Sequence, residues 1–475
     1  NCDNMTATLL GEYIGLHLII HKFDKPYSDS KGLFIYLEID TFETPLRYNL
    51  YKLYPQKKEY LKIFDNPGNV KYWYCVDQLE YFREEIINNG CSRVTRYFNN
   101  HWIPLFNWKA CNALATWVVA WTVKEIYFFS NVNTNTSRLY KYKLLDNLTE
   151  EVYGRDDYDC SDIIWDSENN NIIAIGYYGV KHQYSFLNKQ FEKIYYKFES
   201  YFNGEVRILQ HTANGSIFLL EIKHDNKPKE FAIYLSFNNE FIHLGYTRPL
   251  NKNINYSRME YLECLTKDNV KINGYISFPV NIAQKSIPLI VKLHGGPWSR
   301  DHWGYNNEIQ WLTSIGIACL TVNYRGSTGF GKMFVDLGNK QYGNKVIKDI
   351  ICMLDYVFLQ YPFIDRKLIG IMGHSFGGYI SLMCIIRNPE IFNFCIAINC
   401  PVDLLDSLKG AYTSGNIERD RIFKRIGNPM KDIDFLKSNS PFYNIDKIIT
   451  PFLLINSKFD EKVDRKQILQ FVDKC

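Results

Sequence analysis

The segment Gly373-His374-Ser375-Phe376-Gly377-Gly378-Tyr379 sets a serine between glycines two positions to either side. It follows the apolar run Leu368–Met372 and precedes a helical apolar pattern through Leu382 and Met383, the context of a G-x-S-x-G nucleophile elbow. A strand-to-helix turn this tight brings the flanking positions together, so glycine is needed on both sides and Ser375 Oγ is left exposed above a sheet. The helix that starts there points free N–H groups at negative charge developing on a substrate. The matching chemistry is attack of the serine on an acyl carbon, through a covalent intermediate that needs no metal or organic cofactor. His374 is too close in sequence to reach Oγ and reads as structural.

A serine nucleophile of this kind needs an acid, a base and an oxyanion site. Chain order for the elbow is Ser, then Asp or Glu, then His. The run Pro451–Asn456 leads to Ser457-Lys458-Phe459-Asp460, which makes Asp460 the expected acid. Asp403, just past Phe394–Asn399, is the alternative, with helix capping as its plainer reading. Upstream, Val291-Lys292-Leu293-His294 opens into Gly295-Gly296-Pro297-Trp298, the position of an HGG oxyanion loop. The expected donors are the N–H groups of Gly295 and Phe376, each commonly worth roughly 2.7 to 4 kcal/mol.

The base breaks the pattern. The ten histidines stand at 17, 21, 101, 182, 211, 224, 243, 294, 302 and 374, and none follows Asp460. Residues 461–475 suffice for one helix, Arg465–Lys474, and not for a further strand and loop carrying the base. The chain starts at Asn1 and stops at Cys475 within that helix, so both ends read as cut. The expectation is a fragment whose Ser375 lacks its imidazole, a loss that typically lowers the rate by several orders of magnitude.

Elements that could position these residues fall into two grammars. Residues 258–475 alternate apolar strand runs with helix-length segments, as in a doubly wound, mostly parallel sheet of an α/β-hydrolase fold. Its expected strands are Pro288–His294, Ile317–Asn323, Leu368–Met372, Phe394–Asn399 and Pro451–Asn456. Val346–Leu359 is an expected helix, with Ile347, Ile350, Ile351 and Leu354 at helical spacing. Residues 1–250 instead alternate short strands with polar turns. The aromatics Tyr51, Tyr97, Tyr140, Tyr184 and Tyr234 recur every 43 to 50 residues, the period of a four-stranded propeller blade. About five blades of a partial β-propeller are therefore expected. Within them, Glu84-Glu85 precedes Asn88-Asn89-Gly90 in a strand-like run and reads as a solvated surface.

Composition narrows the function classes. A hydrophobic share of 46% with 16% aromatics suits a folded protein with large cores. A net charge of +4 spread over 475 residues offers no footprint for nucleic acid or for a membrane surface. No apolar stretch approaches 18 residues, and that around Leu16–Ile20 is too short for a secretion signal. The twelve cysteines are scattered, several in apolar runs (Cys319, Cys384, Cys395, Cys400), which favours reduced thiols and a cytoplasmic location.

The chain resembles the prolyl oligopeptidase family of serine peptidases, in its acylaminoacyl-peptidase and dipeptidyl-peptidase branches. The resemblance rests on His294–Asp301, Asn323-Tyr324-Arg325-Gly326-Ser327-Thr328-Gly329-Phe330-Gly331, Gly373–Tyr379, Ser440-Pro441 and Asp460–Val463. It implies a seven-bladed propeller, of which five repeats are visible, and hydrolysis of short peptides with Ser375 and Asp460 in the triad. Val402 and Val463 match positions lining the pocket for the residue before the scissile bond, and Phe376 stands where relatives often have tyrosine. Relatives that remove terminal residues hold the substrate amine with paired acids, for which Glu84-Glu85 is the tempting pair. The expected partner is a short peptide, with homo-oligomerisation left open. Two rival readings are an esterase on the same fold and a catalytically dead propeller–hydrolase scaffold.

Overall fold

The computed structural model describes residues 18–20, 27–40, 47–76, 80–87, 91–109, 116–166, 169–212, 214–248, 256–280, 286–410, 416–460 and 462–475. The chain divides into two compact units, Asn1–Val132 with Leu139–Val152, and Asn133–Arg138 with Tyr153–Cys475. The change of sequence grammar at residues 250–258 overlaps residues 249–255, which lie outside the described ones.

Among the described residues, five antiparallel sheets follow one another up to residue 246, the blades of a partial β-propeller. Four are meanders; in the first, Leu18–Ile20 and Tyr27–Asp29 both pair with Gly32–Asp40, and strands that line the core alternate inward and outward side chains. Ile217–Lys223 shows why: Phe218, Leu220 and Ile222 are buried while the residues between them are not. Tyr51, Tyr97, Tyr140, Tyr184 and Tyr234 all fall in the third strand along their sheet's path, within Tyr48–Tyr54, Cys91–Phe98, Arg138–Lys143, His182–Phe186 and Glu230–Leu235. The aromatic spacing is thus the spacing of one structural position.

The widest interval, between Tyr184 and Tyr234, has a structural cause. The fourth blade has three strands, Cys160–Asp166, Asn171–Tyr178 and His182–Phe186, followed by helix α1 (Lys189–Phe202). Asn188 caps α1 by accepting from the N–H groups of Gln190 and Phe191, and Asn203 ends it in the left-handed conformation. Tyr195 and Phe198 bury the helix against the fourth and fifth sheets. The strand-by-strand repeat did not anticipate a helix here.

Glu84 and Glu85 correct the sequence reading. They are 0% and 1% exposed, not solvated. Their strand, Glu80–Ile87, is interior to its sheet, and because successive side chains point to opposite faces, the burial of both shows that each face is covered here. Glu85 is neutralised by Arg83 (2.8 Å) and by Arg93. Glu84 meets Lys71 (3.5 Å) and Tyr74 Oη (3.4 Å), and burial pushes its carboxyl above the usual range. Paired this way, the two acids are structural ions of the second blade.

Among the described residues, one seven-stranded sheet organises the rest: β1 (Met259–Leu265), β2 (Lys271–Ser277), β3 (Ile287–Leu293), β4 (Ala318–Asn323), β5 (Ile364–His374), β6 (Phe394–Ile398) and β7 (Phe452–Ile455). Their order is β1-β2-β4-β3-β5-β6-β7. Strands β3 to β7 pair in parallel, whereas β1–β2 and β2–β4 pair antiparallel. This is the α/β-hydrolase fold. All five expected strands are present, and the antiparallel β1–β2 edge is additional. Helices α2 (Asn307–Ser314), α3 (Lys345–Gln360), α4 (Phe376–Arg387) and α5 (Arg465–Val472) accompany the sheet. Ile347, Ile350 and Leu354 bury the core face of α3 as expected, with Ile351 partly buried beside them. Helix α4 is buried on all sides from Phe376 to Ile386, consistent with its unbroken apolar composition.

Candidate active site

Parallel register brings the sequence motifs to one edge of the sheet. Leu293 at the end of β3 pairs with Gly373, His374 at the end of β5 pairs with Ile398, and Ile398 pairs with Ile455. The loops that follow carry Gly295, Ser375, Val402 and Asp460 in turn. Adjacent strands lie roughly 4.8 Å apart, so residues far apart in sequence converge at the carboxyl ends, where sheets of this kind bind ligands.

Ser375 sits between β5 and α4 with φ 55° and ψ −125°, a conformation non-glycine residues rarely adopt. Such strain costs on the order of 1–3 kcal/mol and must be held by its surroundings. Three main-chain hydrogen bonds do so: Ser375 N–H donates to Ile398 O (2.7 Å), and the N–H groups of Gly378 (3.0 Å) and Tyr379 (3.2 Å) donate to Ser375 O. The glycines permit the close approach. A Cβ on Gly373 would lie 2.3 Å from Gly377 C, one on Gly377 would lie 2.3 Å from Leu293 O, and one on Gly378 would lie 2.8 Å from Cys400 Cβ.

Gly295 faces the elbow directly. A Cβ built on it would lie 2.7 Å from His374 O, 3.3 Å from Ser375 Cβ and 3.6 Å from Phe376 N. Phe376 opens α4, so its N–H belongs to the first turn, outside the helix's own ladder. Its ring is buried, edge-on to Tyr342 (4.9 Å) and tilted on Tyr379 (4.8 Å). Phe376, Val402 and Val463 belong to the same apolar cluster, with Val402 fully buried.

The Asn323–Ser327 run and the neighbouring Arg300 are buttresses, which motif reading alone did not reveal. His294 is buried, stacked on Tyr324 (4.4 Å, 12°), and its Nε2 meets Ser327 Oγ at 2.9 Å. Tyr324 Oη donates to His294 O (2.9 Å). Burial pushes the His294 imidazole below its ordinary value, and it holds the loop rather than serving as a mobile base. Arg325, 2% exposed, is gripped by Asp349 Oδ1 (2.6 Å) and by both oxygens of Asp268 (2.8 and 2.9 Å). Arg300 donates to Tyr178 O (3.1 Å) and Gly179 O (3.2 Å) at the tip of the fourth blade, its guanidinium 4.2 Å above Phe330. The one advance sign of the Arg325 network was an acid, Asp349, between the core positions Ile347 and Ile350.

Asp460 follows β7 by five residues and is half-buried. Its Oδ1 accepts from the N–H groups of Lys462 (2.8 Å) and Val463 (3.0 Å). Those bonds hold its carboxyl below the usual range, with nearby His374 adding to the effect. Asp403 is buried, and its Oδ1 accepts from the N–H groups of Leu405 (2.9 Å) and Asp406 (3.2 Å) at the start of helix Leu404–Gly410. It is a helix cap. His374 is exposed.

Strand order, elbow and HGG loop define an α/β-hydrolase fold with Ser375 at its elbow. Residues 303–475 match the prolyl oligopeptidase family. The chain is similar to dipeptidyl peptidase family member 6 of Caenorhabditis elegans, 26% identical over 294 residues, 57% of this chain and 40% of that protein. It is also similar to dipeptidyl aminopeptidase BIII of Pseudoxanthomonas mexicana, 26% identical over 360 residues, 74% of this chain and 52% of that protein. The chain thus spans about half the length of the curated relatives it matches. A puromycin-hydrolyzing peptidase of Mycobacterium tuberculosis shares the fold with a TM-score of 0.73 at 16% identity, over 95% of this chain and 73% of the other.

Among the described residues, no helix is long and apolar enough to cross a membrane.

Proposed function

We propose that the protein is a serine peptidase acting on short peptides through an acyl-enzyme on Ser375. In this reading the N–H groups of Phe376 and Gly295 receive the oxyanion, and Asp460 orients a general base. The observation that carries it is Ser375 held at positive φ on a strand-to-helix junction with Gly295 packed against it. The family, and relatives whose names denote removal of dipeptides, support peptide over ester substrates. Phe376, Val402 and Val463, sharing one apolar cluster, suit an apolar side chain before the scissile bond. The free state of the ten described cysteines fits a reducing, cytoplasmic setting.

Proton transfer from Ser375 needs an imidazole. His294 is engaged with Ser327 and Tyr324, and His374 lies beside the nucleophile on the elbow itself. We infer that residues 1–475 by themselves turn over slowly, and that free imidazole in the buffer can stand in for the base. The test compares hydrolysis of dipeptidyl and acylaminoacyl p-nitroanilides, with and without imidazole, by the parent and by Ser375→Ala. Imidazole-dependent amide cleavage lost in Ser375→Ala supports the reading. Cleavage of p-nitrophenyl esters alone would favour an esterase. No Ser375-dependent turnover of either would favour a binding scaffold.

A further inference from the structure

Ten cysteines are described, none in a disulfide, and two of them touch: Cys264 Sγ and Cys352 Sγ lie 3.8 Å apart. Cys264 stands near the end of β1, 9% exposed, on the side of the strand that shares the core with Leu262 and α3. Cys352 stands midway along α3, partly buried, its Sγ directed at Leu265 O (3.6 Å). It also lines a cavity of about 1050 Å³, together with Arg325, Lys345, Lys348 and Asp349. One sulfur is therefore enclosed and its neighbour is reached from a roomy polar cavity. Nothing in the proposed peptidase chemistry uses either thiol.

We infer that Cys264 and Cys352 form an oxidisable dithiol, which a hydroperoxide entering the cavity converts to a disulfide joining β1 to α3. Cys352, as thiolate, attacks one oxygen of the peroxide. The O–O bond breaks, the leaving oxygen takes up a proton as water or alcohol, and Cys352 becomes a sulfenic acid. Cys264 sulfur then attacks Cys352 sulfur, the S–O bond breaks, and the hydroxyl departs as water with the Cys264 proton. Two thiols lose two electrons and the peroxide gains them. A thiol reductant restores the pair by exchange.

The two sulfurs have different roles because their surroundings differ. Burial pushes the Cys264 thiol up to about 12, so it remains protonated and acts second. Cys352 lines the cavity and Cys264 does not, so Cys352 is the sulfur that a peroxide in the cavity reaches first. Bond formation requires the sulfurs to close from 3.8 Å to about 2.05 Å. The resulting link closes a loop of 88 residues and fastens β1 to the helix whose Asp349 grips Arg325.

The test treats the whole chain with hydrogen peroxide, blocks remaining thiols by alkylation, and maps peptides without reduction. The expected product joins the Cys264 and Cys352 peptides, lowers the thiol count by two, and raises Tm by about 5 °C, all reversed by dithiothreitol. Cys264→Ser and Cys352→Ser should each abolish the Tm rise. Oxidation that lands on Cys475 or Cys91, or that ends as sulfinic acid at Cys352, with no joined peptide, would overturn the proposal. The peptide map is read on the parent chain, so it stands even where a variant folds poorly, and it does not depend on peptidase activity.

Discussion

Around Ser375 nearly every neighbouring atom is committed. Its N–H is bonded to Ile398, its carbonyl to Gly378 and Tyr379, and a single added carbon on Gly373 or Gly377 would sit 2.3 Å from main-chain atoms. Around Asp460 the packing is open. Phe459 is 81% exposed, Lys458 and Lys462 are exposed, and the carboxylate is held by the turn it makes with Lys462 and Val463. The loop is tied to its neighbour by Ser457 N–H donating to Asn399 Oδ1 (2.7 Å). Ser375 is thus placed by close packing of main chain, which tolerates no extra volume, and Asp460 by strand register and a local turn, which do. Disturbing the first should cost the fold, and disturbing the second should cost chemistry alone.

Three substitutions press on that contrast. The largest effect is expected from Asp349→Ala, which removes the buried one of Arg325's two counter-ions; chemical denaturation should register a loss of roughly 3–5 kcal/mol. A loss under about 1 kcal/mol would mean that the Arg325 network contributes little to the fold. Next comes Gly377→Ala, whose methyl meets Leu293 O and His294 O at 2.3 and 2.7 Å; thermal unfolding should show a cost of about 3 kcal/mol. Normal stability there would show that the strand ends can move apart and that the elbow is less rigid than its packing suggests.

The smallest effect on stability belongs to Asp460→Asn, within about 0.5 kcal/mol of the parent near neutral pH. Its signature should be in acid. Folding lowers the affinity of this carboxyl for protons, so its stabilising contribution is present above the ordinary value of 3.8 and is lost as pH falls through the lower folded value. The variant should lack that part of the acid slope in a pH series of Tm, while imidazole-assisted hydrolysis drops well below the parent rate. Equal hydrolysis in both would remove Asp460 from the catalytic reading.

The parts legible in sequence are those with short-range causes. The elbow, the HGG loop and the five parallel strands each announce themselves within a dozen residues, because glycine placement and apolar runs reflect local sterics and burial. The blades were legible for a related reason: one aromatic marks the same strand in each. Three features were not. Helix α1 interrupts the repeat where a strand was expected. Glu84 and Glu85 resemble surface acids until the interior place of their strand and the arrival of Arg83, Arg93 and Lys71 are seen. The antiparallel β1–β2 edge has no signature apart from its pairing.

The amino-acid sequence alone determined that a serine elbow, an oxyanion-type loop and a downstream acid share one chain behind a series of β repeats, since each is written in contiguous residues. Only the tertiary structure decided that Tyr324 and Ser327 brace His294 and that Cys264 meets Cys352. Those facts depend on which strand lies beside which, and contacts between residues tens of positions apart follow from sheet order and register, which no local pattern encodes.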